Sequence, residues 1–100
     1  MSQFDVHRLK SGSALVVDCQ SELLEHLSTR LVVPLIPREH GSPPQVARLN
    51  PLFSLDGEEF IMATQLAAAV LTRDLGEMVA SLRDRSFEIV GALDVLFGGV

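Results

Sequence analysis

Ser81-Leu82-Arg83-Asp84-Arg85-Ser86-Phe87-Glu88-Ile89-Val90-Gly91-Ala92-Leu93-Asp94-Val95-Leu96-Phe97-Gly98-Gly99-Val100 is the only long stretch of the chain with helical periodicity. At about 3.6 residues per turn, Leu82, Ile89, Val90, Leu93, Leu96 and Phe97 share one side, as on a helix that covers a core. The opposite side mixes Phe87, Gly91 and Val95 with Asp84, Glu88 and Asp94, which suits a second, partner-facing surface. Ser81 with Asp84 three residues on resembles a capping box and predicts the helix start there. Gly98-Gly99 predicts its end.

The 100 residues predict one compact domain. No apolar run approaches the roughly 20 residues of a membrane span. The first residues alternate polar and apolar instead of forming a signal sequence, so the chain reads as cytoplasmic. One cysteine, Cys19, allows no internal disulfide and no cysteine-based metal site, and predicts a small buried hydrophobe. A formal charge of −5 opposes direct binding to nucleic acid phosphates.

Ahead of the helix the chain reads as strands. Residues 4–7 and 14–17 predict a hairpin turned at Ser11-Gly12-Ser13. Residues 18–30 read as a structured loop in which residues 21–27 could form a short helix. Residues 31–37 are rich in branched side chains and carry Pro34 and Pro37, which predicts a sheet edge or bulge. Residues 38–51 suit a surface excursion. Leu52-Phe53-Ser54-Leu55, Asp56-Gly57 and Glu58-Glu59-Phe60-Ile61-Met62 predict a tight hairpin. Residues 65–72 are open between helix, favoured by three alanines, and strand. Five or six strands closing on themselves with the helix packed on them give a mainly β fold, a small barrel or two-sheet body with a C-terminal α-helix.

Residue chemistry argues against catalysis. His7, His26 and His40 are far apart with no partner at a telling spacing, so surface or structural duty is expected. No metal-ligand grouping, no Gly-x-Ser-x-Gly elbow and no phosphate-cradling glycine loop occurs, and neither metal nor cofactor is expected. Asp56, Glu58 and Glu59 read as the solvated end of the hairpin.

Gln3-Phe4-Asp5-Val6, Val17-Asp18-Cys19-Gln20-Ser21 with Leu23-Leu24, Arg30-Leu31-Val32-Val33-Pro34-Leu35 and Leu55-Asp56-Gly57-Glu58 occur in the order found in CcdB toxins. Gly76-Glu77, Ser81-Leu82, Ile89, Ala92 and Leu96-Phe97-Gly98-Gly99-Val100 continue the series. The chain therefore resembles the CcdB family along nearly its whole length. The resemblance implies an SH3-like barrel with a C-terminal helix, the CcdB/MazF/Kid-like architecture, working as a homodimer and not as an enzyme. It implies a toxin that binds the A subunit of DNA gyrase and traps the cleaved DNA complex. A CcdA-like antitoxin would neutralise it, and the pair would contact operator DNA to repress their operon.

Gly98, Gly99 and Val100 stand where the family's gyrase contacts lie, typically Trp-Gly-Ile, so Gly98 replaces the aromatic. Leu23, Leu24 and Asp94 match antitoxin-facing positions, with Phe87, Gly91 and Val95 as groove lining or dimer surface. Leu23 and Leu24 are equally compatible with core packing. Two alternatives follow: a member that keeps dimer and antitoxin binding but has lost gyrase, and a MazF/Kid-like ribonuclease using Arg30, Arg38, Arg48 and His40.

Overall fold

The computed structural model describes residues 2–39 and 46–98. His40, Gly99 and Val100 lie outside the described residues. Among the described residues seven strands, β1 (Asp5–Leu9), β2 (Leu15–Asp18), β3 (Thr29–Pro37), β4 (Leu52–Leu55), β5 (Glu58–Met62), β6 (Ala68–Leu71) and β7 (Leu75–Ser81), precede one helix, α1 (Ser86–Gly98). Single 3-10 turns occupy Glu22–Leu24, Thr64–Leu66, Thr72–Asp74 and Arg83–Arg85. The strands form one antiparallel sheet in the order β4-β5-β3-β2-β1-β7, with β6 also on β3. The sheet curls into a half-barrel, so the expected mainly β, SH3-like body with a C-terminal helix is what the chain forms.

Both expected hairpins are present. β1 pairs with β2, and β4 with β5 across Asp56-Gly57, whose φ angles of 51° and 82° are the left-handed pair a two-residue hairpin turn demands. β3 corrects the edge-strand reading. It is the longest strand and lies inside the sheet, with β2 on one side and both β6 and β5 on the other. Pro34 is tolerated there because β6 pairing ends at Val32 and β5 pairing begins at Leu35, so its missing N–H falls at the junction. Its carbonyl still accepts from the Ala63 N–H at 2.9 Å.

The alanine-rich segment resolves as strand. Ala68–Leu71 pairs along Thr29–Val32, and those ladder bonds override a helix propensity worth only tenths of a kcal/mol per residue, roughly. β7 is held against β1 through two register shifts. Gly76 permits this, since a Cβ there would stand 2.5 Å from the Arg8 carbonyl oxygen.

The main core joins Val6, Val17, Val33, Leu35, Phe53, Phe60 and Met62 from the sheet to Leu82, Ile89 and Ala92. A smaller cluster of Val16, Val32 and Leu75 fills the opposite face. Cys19 is buried as expected, and burial pushes its thiol up to about 12, with the neighbouring Asp18 carboxylate adding to the effect.

The helix departs from its expected frame. It starts at Ser86, not near Ser81, because Ser81 closes β7 and its hydroxyl accepts from the Arg83 N–H at the 3-10 turn. The buried stripe is Ile89 and Ala92 with Leu93 half-buried, narrower than the expected face, because Val90 stands about 100° around the helix from Ile89 and Leu96 and Phe97 belong to its last turn. Val90, Leu96 and Phe97, expected to face the core, are exposed.

At the sheet's centre Asp18 and Arg30 form an ion pair at 2.7 Å with both side chains sealed from solvent. Truncating one partner leaves the other charge buried and uncompensated. Asp18→Ala is expected to cost about 3–5 kcal/mol, read as a lowered urea midpoint, whereas the double change Asp18→Leu with Arg30→Met should cost less than Asp18→Ala alone.

Candidate functional site

Two loops and the outer face of α1 make the surfaces on which the sequence-derived candidates fall. The first loop runs from β2 to β3 and is built on Gln20. Its amide donates to Asp18 Oδ1 at 3.0 Å, its side-chain nitrogen reaches the Leu24 and Thr29 carbonyls, and its side-chain oxygen accepts from the Leu31 N–H. With its core-side polar groups satisfied inward, the 3-10 turn Glu22–Leu24 is pushed outward, and Ser21 caps it by accepting from the Leu23 N–H. Leu23 is consequently 87% exposed and Leu24 is exposed too, so core packing is not their role. Leu23 borders a cavity of about 360 Å³ with Gln3, Phe4, Ser21, Glu22 and Arg83. Arg83 bridges to Glu22 across its rim at 3.2 Å. Phe4 holds a φ of 74° there, a strained state for an aromatic residue. It is fixed by its N–H on the Asp18 carbonyl and by its own carbonyl accepting from the Leu82 N–H.

The second loop, residues 46–51, is anchored by Asn50, which is buried. Its side-chain amide donates to the Met62 carbonyl at 3.0 Å and to Gln65 Oε1 at 2.7 Å, while its oxygen accepts from the Val46 N–H. This loop stands opposite α1. Between them run two contiguous grooves, about 510 and 590 Å³, that share Arg48, Phe87 and Gly91. The lower one continues to Asp94, Phe97 and Gly98.

Helix position is set at its start. Arg85 donates to both Glu88 oxygens and to the Leu52 carbonyl, and its guanidinium sits 4.8 Å over the Phe53 ring. That hydrogen bonding holds the Glu88 carboxyl below its ordinary range, although the pair is exposed and adds little stability. Phe87 at 82% and Phe97 at 73% exposure then project from the outer face. Gly91 leaves open space between Phe87 and Asp94, with nothing within 4 Å of where its Cβ would be.

Of the residues singled out in the sequence, Phe87, Gly91, Asp94 and Gly98 share one groove. Val95 is half-buried on the same helix. Leu23 and Leu24 lie on the separate β2–β3 loop. Phe97 and the loop wall Ala47, Arg48, Asn50 and Pro51 were missed as lining. Helical spacing puts Phe97 on the core side, and the loop carries no periodic signal. Arg30 is no groove cation, since Asp18 holds it in the interior, and Arg38 pairs with Glu59 at 3.4 Å. His7 is buried with Nδ1 3.1 Å from the Gly76 carbonyl oxygen, a structural placement, and His26 is exposed. Among the described residues no group of three metal-ligating side chains occurs, and no helix is long and apolar enough to cross a membrane.

Exposure makes a direct prediction for the first loop. Leu23→Ser should shift the unfolding free energy by no more than about 0.5 kcal/mol in urea titration, while Val33→Ala in the core should cost several times that.

A protein-family model described as CcdB protein matches residues 3–99.

Proposed function

The chain belongs to the CcdB family of toxin–antitoxin toxins, and on that premise we propose that it inhibits DNA gyrase. It binds the A subunit and traps the cleaved DNA complex, using contacts and no catalytic residue. The observation that carries the reading is the outer face of α1, where Phe87, Asp94 and Phe97 line a groove with Gly98 without serving the core. Gly98, Gly99 and Val100 form the gyrase-binding tip. A surface that enters a partner's cavity needs exposed apolar side chains on a rigid element, and Arg85 over Phe53 helps to fix α1.

A CcdA-like antitoxin neutralises the toxin through Leu23, Leu24, Phe87, Gly91, Asp94 and Val95, and operator DNA is contacted only through that complex. The toxin acts as a homodimer in the cytoplasm. The acidic balance of the chain fits a protein that leaves DNA contact to its antitoxin.

Gly98 favours a second reading, that of a member retargeted away from gyrase. A glycine offers no flat apolar surface where the family carries tryptophan, and buried aromatic anchors commonly carry about 2 kcal/mol of binding. The ribonuclease reading is weaker, because Arg30 is committed to Asp18 and Arg38 to Glu59.

Overexpression in a bacterium with sensitive gyrase separates these. The gyrase reading expects growth arrest that disappears when residues 98–100 are removed, with circular dichroism unchanged. Gly98→Trp should strengthen binding to the A subunit by about 2 kcal/mol, roughly 30-fold. Arrest only after Gly98→Trp would identify the retargeted member, and no effect of either protein would overturn the assignment to gyrase.

A further inference from the structure

The half-barrel does not close. Among the described residues β4 and β7 end the strand path, each paired on one side only, to β5 and β1. Yet the two edges face each other closely enough for Leu55 of β4 and Val79 and Ala80 of β7 to line one cavity of about 140 Å³, together with Arg8, Leu15, Asp56, Glu58 and Phe60. That cavity shares Arg8, Leu15, Glu58 and Phe60 with a larger cleft of about 500 Å³ bounded by Pro34, Leu35, Ile36 and Pro37. The result is one slot along the barrel seam, lined by the half-buried Leu15, Leu55, Val79 and Ala80 over the buried Leu35 and Phe60.

The β1–β7 register slips between Val6 and His7, so Val79 is the extra residue of a bulge, and its side chain reaches the main core beside Leu55. The facing sheet edges present backbone groups suited to an added strand. The rim is acidic: Asp56 and Glu58 have no ion pair among the described residues, and Glu77 stands 4.0 Å from the single rim cation Arg8. Arg8 is further occupied by the Ser13 carbonyl at 3.3 Å. A second copy of a chain with net charge −5 would bring like charge to this rim.

We infer that the open seam between β4 and β7 binds an extended apolar segment of a partner polypeptide that carries lysine or arginine. The apolar side chains fill the floor, the segment's backbone pairs with the strand edges, and its cations meet Asp56 and Glu58. This surface is distinct from the outer face of α1 and does not depend on the gyrase assignment.

The test is an NMR titration of the ¹⁵N-labelled full chain with the blocked peptide acetyl-Lys-Val-Leu-Val-Lys-amide. The amides of Leu15, Leu55, Phe60 and Ala80 should shift saturably with a Kd of about 1 mM. Glu58→Lys, an exposed change at the hairpin end, should weaken binding about fivefold. No saturable shift, shifts confined to α1, binding unchanged by Glu58→Lys, or equal binding of acetyl-Glu-Val-Leu-Val-Glu-amide would each overturn the inference.

Discussion

The Asp18 carboxylate and the Arg30 guanidinium meet in the interior of the sheet, and the placement of the first loop follows from that contact. A buried charge is tolerated only when its partner and its remaining hydrogen-bonding groups are supplied by the same fold. Asp18 ends β2 and Arg30 lies near the start of β3, so the pair closes the excursion between the two strands. Gln20 completes it by binding both the Asp18 carboxylate and the backbone of residues 24, 29 and 31. The polar groups are consumed inward, and the leucines of the turn are left outside. An exposed Leu23 is thus a consequence of satisfied buried polarity, not of weak packing.

The same logic acts at the other surface. Asn50 spends its side chain on Met62, Gln65 and Val46, which fixes residues 46–51 as a wall opposite α1. Arg85 pins the helix start to β4 through Leu52, Phe53 and Glu88. Groove and helix are therefore set by contacts outside the apolar face they present. This is the arrangement expected of a binding protein, in which rigid elements carry side chains that do no structural work.

Legibility in the sequence tracks how local the cause is. Asp56-Gly57 announced its hairpin because the turn chemistry lies in two adjacent residues. The existence of the C-terminal helix was legible from its period, but its start was not, since Ser81 was claimed by β7. Ala68–Leu71 became a strand through pairing with Thr29–Val32, a partner some forty residues away whose influence no local propensity reports. The central position of β3 was obscured by Pro34, whose missing N–H falls by register at the break between two neighbours. Arg30 read as a surface cation because ion pairing with Asp18 is invisible until the strands are aligned. On the candidate site, Phe87, Gly91 and Asp94 were legible from helical spacing, whereas the loop wall was not. Phe97 shares the flank of the apolar stripe but lies in the last turn of α1, where it is exposed, and helical spacing alone does not report that.

On the proposed reading the molecule acts by contact, through the outward face of α1. The most direct measurement is to incubate the purified protein with gyrase and supercoiled plasmid, denature with detergent, and look for linear DNA covalently attached to the A subunit. The account predicts protein-linked linear DNA that rises with toxin concentration and vanishes when residues 98–100 are removed. DNA that remains uncut, together with no detectable association with the A subunit, would contradict it.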